Sequence, residues 1–247
     1  MVRPPRVRVT AGVVPLRREP TDDTERVDEA QYGELLTLLG EDGEWRYAQG
    51  PDLYFGWIRV GAITPIDERP RGVVAVPLAA VHAEPRDDAR VVDEIPAGTV
   101  LDLPDGEWLR AADGWVSAAD VVSQAALQRR YPRAADLLAS ADAFLGVPYL
   151  WGGTSARGID CSGFVQQVYR LNGVGLDRDA DQQALGGRAV DEASAGDLLF
   201  FGAPSVTHVA LATGGRGFVH APASGRFVER GELSDDHRPV AIRRYLR

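Results

Sequence analysis

One cysteine and four histidines are the residues of this chain best suited to nucleophilic chemistry. Cys161 stands in PYLWGGTSARGIDCSGFVQQVYR, where a glycine-rich stretch gives way to a helical pattern with apolar positions at Phe164, Val165, Val168 and Leu171. A side chain at a helix start meets unpaired amides and the positive end of the macrodipole, which favour an anion. The thiolate is the reactive form of cysteine, so that placement suits a nucleophile. Gly152, Gly153 and Gly158 are expected to let the backbone approach a substrate closely. A thiolate also needs a base that returns a proton to the leaving amine. His82 lies far upstream, and His237 sits in the charged stretch DDHRP, so both read as non-catalytic. His208 and His220 remain, in VTHVALATGGRGFVHAPA, which reads as a hairpin turning at its glycines. With Thr213-Gly214-Gly215 as a three-residue loop, His208 faces His220 directly, close enough for a ring-to-ring hydrogen bond. A two-residue loop at Gly214-Gly215 sends the rings to opposite faces. The catalytic reading therefore predicts an odd loop, or a bulge with the same effect.

The roles follow from the chemistry. His208 shares a proton with Cys161 and later donates it to the departing amine. His220 orients the His208 ring, as a carboxylate or amide does in other triads. The Cys161 amide and the Tyr149 hydroxyl are candidate donors to the tetrahedral oxyanion. A zinc site of one thiolate and two imidazoles is the competing reading, but the usual paired spacing of ligands is missing. No metal or other cofactor is expected.

These groups need a scaffold. Tyr131-Pro132 begins a helical stretch, with Pro132 in the first turn and apolar residues at Ala134, Leu137, Leu138, Ala141, Phe144 and Leu145. Gly146 and Pro148 end it. A second helix runs from Cys161 to about Leu171 and closes at Asn172-Gly173. Strand-like runs follow at Asp197–Phe201, His208–Ala212, Gly217–Ala221 and Val240–Tyr245. A helix pair followed by antiparallel strands is an α+β unit.

Upstream, the chain repeats itself. VVPLRREPTDDTERVDE (13–29) aligns with LAAVHAEPRDDARVVDE (78–94), then Gly43-Glu44-Trp45 with Gly106-Glu107-Trp108, and Gly56-Trp57 with Gly114-Trp115. Short apolar stretches between turn signals predict two small all-β modules. The Gly-Glu-Trp and Gly-Trp pattern resembles bacterial SH3-like domains, in which the tryptophans mostly fill the core. That predicts core positions for Trp45, Trp57, Trp108 and Trp115. The first copy carries extra residues within AQGPDLYF, including Tyr54, and a longer loop on one copy is where a special task can arise. The expected units are 1–66 and 67–125 (SH3-like) and 126–247 (α+β).

The formal net charge of −9 gives no general attraction for nucleic acid or anionic membranes, so neither is an expected partner. The lone cysteine allows no intramolecular disulfide. The start, MVRPPRVRVTAGVVPLRREP, lacks the apolar core of a secretory signal, and no apolar run is long enough to span a bilayer. A cytoplasmic location is the expectation.

The α+β segment resembles the NlpC-type cysteine peptidases of bacteria. The resemblance rests on PYLWGG (148–153), DCSGFV (160–165), LDRDADQQ (176–183), GDLLFF (196–201), THVAL (207–211) and FVHAP (218–222), in that order. It implies a papain-like fold that cleaves cell-wall peptides. It also implies Cys161 as nucleophile, His208 as base, His220 as third member and Tyr149 at the oxyanion. Asp160 and Ser162 would shape the substrate site, and Asp179 would contact the substrate. Asp177-Arg178 stands where the family frequently has Pro-Arg. Two SH3-like modules before the peptidase resemble γ-D-glutamyl-L-diamino acid endopeptidases. That layout implies murein peptides (L-Ala-γ-D-Glu-diamino acid) as partners, with a free α-amine held by Asp179, Glu19 and Tyr54. The other readings are a secreted hydrolase of intact peptidoglycan, with the SH3-like modules gripping the wall, and a non-catalytic binding protein on a peptidase scaffold.

Overall fold

The computed structural model describes residues 4–66, 71–111, 113–236 and 238–247. The expected 66/67 boundary falls beside residues 67–70, and His237 also lies outside the described residues. The chain divides into two compact units, Met1–Arg129 and Arg130–Arg247.

The first unit is all-β in its sheets. A seven-stranded antiparallel sheet runs in the order Arg26–Gln31, Val13–Arg17, Phe55–Arg59, Trp45–Gln49, Leu35–Asp42, Arg6–Val9, Ile63–Pro65. It closes on Val7, Val9, Leu16, Ala48 and Ile58. A second set of strands closes on Val74, Ala79, Val81, Leu109 and Val116. The sequence repeat is visible in the architecture. Each copy makes a 3-10 turn (Val60–Ala62, Ala118–Asp120) just before its last strand, and that strand pairs with the copy's first. The copies meet where the Val100 amide donates to the Tyr32 carbonyl at 2.8 Å. Gly33, at φ 78°, fits there because a Cβ would lie 2.1 Å from the Val100 carbonyl oxygen.

The tryptophans depart from expectation. Trp45 is buried, but Trp57, Trp108 and Trp115 are only half-buried. Side chains alternate along a strand, and the inward places beside them belong to Ile58, Leu109 and Val116. The rings line outer faces instead, with Trp57 against Tyr47, His82 against Trp108, and Arg110 over Trp115.

In the second unit we number the helices α1 (Ala134–Ala143), α2 (Cys161–Leu171) and α3 (Ala180–Leu185). The strands are β1 (Arg188–Ala189), β2 (Leu198–Phe201), β3 (His208–Gly214), β4 (Gly217–His220), β5 (Glu229–Glu232) and β6 (Ala241–Arg244). They form one antiparallel sheet in the order β1-β6-β2-β3-β4-β5. β2 and the centre of β3 are buried throughout, because α2 packs over the sheet. Leu137, Ala141 and Phe144 of the α1 stretch are buried, with Phe144 edge-on to Phe164 of α2. α1 starts at Ala134, so Pro132 precedes the helix rather than sitting in its first turn. The Asp136 carboxylate takes the N-terminal role by accepting from the Arg133 amide. This is an α+β papain-like unit preceded by SH3-like barrels. Among the described residues, no helix is long and apolar enough to cross a membrane.

Candidate active site

α2 begins at Cys161 because Asp160 caps it. The Asp160 carboxylate accepts from the Gly163 amide at 2.7 Å and, from the preceding loop, from the Gly152 amide at 2.9 Å. Arg178 grips the same carboxylate with two donors, at 3.0 and 2.6 Å, and reaches the Ser162 hydroxyl at 2.9 Å. Arg178 is 2% exposed, so this is a buried bidentate ion pair beside the first turn of α2. Asp160 and Ser162, implied to shape the substrate site, thus lie in one buried cluster with Arg178. Sequence reasoning treated Arg178 only as part of a departure from Pro-Arg. A lone arginine after a turn carries no periodic signal that it is buried.

The glycines around Cys161 pack closely. A Cβ on Gly153 would lie 2.4 Å from the Gly158 oxygen, and one on Gly163 would lie 2.3 Å from the Gly153 oxygen. They let the loop pack against itself and against the first turn of α2. That packing, with the Tyr149 amide donating to the Arg226 carbonyl at 2.8 Å, holds Tyr149 beside Cys161 and Asp160. Burial and then the Cys161 and Asp160 charges push the Tyr149 phenol well above its usual range. It therefore stays protonated, as an oxyanion donor must.

The hairpin carries the histidine pair by a different register from the direct one. Gly214 pairs with Gly217, so the turn is the two residues Gly215 and Arg216. A bulge between Ala212 and Gly214 then restores the face that a two-residue turn would have lost. Ala212 opposes Phe218 and Leu211 opposes Val219; continuing the ladder sets Ala210 opposite His220. His208 is therefore a diagonal neighbour on the same face, not the directly opposite residue. Diagonal residues remain within reach of long side chains. The His208 Nε2 and His220 Nδ1 atoms are 2.8 Å apart, with ring centroids at 5.0 Å. At that distance the two nitrogens make one ring-to-ring hydrogen bond, whose sense depends on which ring carries the proton.

α2 lies against β3, and the backbone amides of Val209 and Ser162 donate toward the Cys161 sulfur. Val209 follows His208, so the start of β3, where His208 stands, lies against the first turn of α2. Burial pushes the Cys161 thiol up to about 11, and the Asp160 charge adds to it, while the Val209 and Ser162 amides and Arg178 act the other way. Burial thus opposes the anion that the helix start favours. In the substrate-free protein, the rate of Cys161 alkylation by iodoacetamide is accordingly expected to climb toward pH 11. A plateau already reached below pH 8 would contradict this.

Asp179 is half-buried at the N-cap of α3, with its amide donating to the Gln182 side chain at 3.2 Å. Gln183 ties α3 to α2 by donating to the Ser162 carbonyl at 3.1 Å and to that of Asp177 at 2.8 Å. Glu19 and Tyr54 belong to the first unit. Glu19 is exposed. Tyr54 packs against the first barrel's core, in a tight turn where its carbonyl accepts from the Gly50 amide at 2.8 Å and Asp52 accepts from its own amide at 3.1 Å.

A buried cysteine at a helix start, beside a histidine pair on an antiparallel sheet, defines a papain-like cysteine peptidase. The NlpC/P60 family profile matches residues 146–242, and that of the bacterial dipeptidyl-peptidase Sh3 domain matches residues 16–63. The γ-D-glutamyl-L-lysine dipeptidyl-peptidase of Bacillus subtilis (strain 168) is 31% identical over 221 residues, 80% of this chain and 73% of that protein. Its namesake from Bacillus cereus (strain ATCC 10987 / NRS 248) is 31% identical over 81% of this chain and 68% of its own length. The chain belongs to the NlpC/P60 family of cysteine peptidases. An NlpC/P60 family protein of Bacillus cereus ATCC 10987, known from a crystal structure, shares the fold with a TM-score of 0.84 over 98% of this chain and all of that one, at 24% identity.

Proposed function

We propose that this protein hydrolyses the γ-D-glutamyl–diamino acid bond of short murein peptides with a free N-terminal L-alanine, as a step in cell-wall peptide recycling. The likeness to γ-D-glutamyl-L-lysine dipeptidyl-peptidases carries the reading, because it runs across barrels and peptidase alike. Cys161 loses its proton to His208 and attacks the γ-carbonyl carbon of D-glutamate. The Cys161 amide and Tyr149 hydroxyl donate to the oxyanion. The tetrahedral intermediate collapses as the C–N bond breaks and His208 protonates the leaving amine. This leaves L-Ala-D-Glu as a thioester on Cys161. Water, deprotonated by His208, attacks the thioester; L-Ala-D-Glu departs, and Cys161 recovers its proton. Asp160, Ser162 and Asp179 belong to the substrate side of this reading. Glu19 and Tyr54 are assigned to the free α-amine by resemblance, and the cytoplasm is the compartment that supplies such released peptides.

The test uses L-Ala-γ-D-Glu-diaminopimelate, its N-acetylated form and intact sacculi, with diamino acid release as the readout. The free-amine peptide is expected to be cleaved far faster than the other two. Equal cleavage of the first two would defeat amine recognition, and preference for sacculi would favour the secreted wall hydrolase. Tyr54→Ala is expected to reduce turnover of the free peptide by about 1–3 kcal/mol of transition-state binding if its hydroxyl contacts the charged amine. An unchanged kcat/KM would remove Tyr54 from the site.

A further inference from the structure

His220 has a neighbour that the triad does not use. β5 pairs with β4 so that Glu229 stands directly opposite His220. The Glu229 carboxylate lies 3.9 Å from His220 Nε2, the ring nitrogen turned away from His208. Its position is fixed from the other side, where Arg226 donates to the same carboxylate oxygen at 2.6 Å. Phe218 stands edge-on to the His220 ring, with centroids 4.9 Å apart. Cross-strand pairing, an arginine anchor and an aromatic wall thus hold a carboxylate and an imidazole edge facing each other.

We propose that Glu229 is a positioning residue that sets the proton order along the histidine pair. A neutral imidazole has one N–H and one lone pair, so the contact between His208 and His220 has two possible senses. In one, His220 Nδ1–H donates to His208 Nε2. The lone pair of His220 Nε2 then faces the Glu229 carboxylate, which is repulsive, and His208 carries its proton on Nδ1. In the other, His220 carries its proton on Nε2, toward the carboxylate. His220 Nδ1 then accepts from His208 Nε2–H, and Nδ1 of His208 is left as the basic nitrogen. Glu229 selects the second sense. An anion near the ring edge also stabilises the protonated form of the pair, which makes the pair a stronger base for a thiol that burial holds in its neutral state.

Among the described residues, the titratable and charged groups around His220 include His208 on β3, Glu229 on β5 with Arg226 bonded to it, and Cys161 on the helix packed over this sheet. The two substitutions that change charge here have opposite signs. Glu229→Gln removes the anion but keeps the shape. Arg226→Ala removes the cation that offsets it.

The proposal rests on the catalytic reading above, and the experiment separates the two. Measured first is the pH dependence of kcat/KM on L-Ala-γ-D-Glu-diaminopimelate for the full chain and both variants. In Glu229→Gln the acid limb is expected to move to lower pH and the plateau to fall about tenfold, the low end of what outer partners of a working imidazole contribute. In Arg226→Ala the acid limb is expected to move to higher pH. The second measurement needs no substrate. The imidazole 15N shifts of the wild type should show His220 protonated on Nε2 and His208 on Nε2, and Glu229→Gln should move His220 toward a tautomer mixture. A wild-type His220 protonated on Nδ1, or an unmoved acid limb with unmoved 15N shifts in Glu229→Gln, would overturn the assignment of Glu229. Full activity in Cys161→Ala would instead overturn the underlying reading. Glu229 is at the sheet edge and partly exposed, so loss of folding is not expected from the glutamine. Unchanged thermal unfolding would confirm that.

Discussion

Cys161→Ala is expected to reduce kcat/KM on L-Ala-γ-D-Glu-diaminopimelate by about 10,000-fold or more, which is what removal of a nucleophile costs when the rest of its site is intact. No neighbour replaces it. The Ser162 hydroxyl, next in the chain, donates to Asp160 at 3.2 Å and accepts from Arg178 at 2.9 Å, so it is held inside the cluster rather than beside a base. The fold should survive, because the change removes one sulfur from a wall built by Asp160, Arg178 and the glycine packing. The measurement is product release with matched calorimetry. Retained turnover with an unchanged transition would place the nucleophile elsewhere.

Arg178→Ala is expected to destabilise the second unit by about 3–5 kcal/mol, the range for removing one partner of a buried ion pair. Its guanidinium supplies two of the donors on Asp160, and both side chains are out of solvent. Without it, the buried Asp160 carboxylate is left with the Gly152, Ser162 and Gly163 donors alone. The variant also removes one of the influences that lower the Cys161 thiol, so the nucleophile becomes harder to ionise. Calorimetry provides an internal control. The transition of the second unit should fall while that of the first stays. A variant with both transitions unmoved would show that Asp160 does not depend on Arg178. Arg178→Lys should fall between, because an ammonium cannot make both parallel bonds.

Much of the site was legible in the sequence because it is built on regular elements. The apolar spacing after Cys161 marked α2 from its first to its last residue, with Asn172-Gly173 closing it. The two histidines declared themselves by a hairpin that had to keep them on one face. The exact register was not legible, since a two-residue turn plus a bulge at Thr213 gives the same facing as a three-residue loop. Nothing in Ala-Thr-Gly distinguishes them. α3 was missed because six residues hold too little periodicity, although Asp179 and Gln182 carry the spacing of a capping box. β5 was missed because Glu-Arg-Gly-Glu shows no apolar alternation; an edge strand needs only one covered face. Glu229 went unseen with it. Arg178 was hidden because its burial is decided by Asp160, eighteen residues earlier. Trp57, Trp108 and Trp115 misled in the opposite direction, because large rings suggested a core that smaller aliphatic neighbours fill.

The most direct test of the account is the chemical identity of the intermediate. Wild-type protein is mixed with L-Ala-γ-D-Glu-diaminopimelate, quenched in acid within a turnover, digested and analysed by mass spectrometry. The account predicts a thioester on Cys161 that carries L-Ala-D-Glu and has lost the diamino acid. An adduct on Cys161 that still contains the diamino acid, or steady turnover by Cys161→Ala, would contradict it.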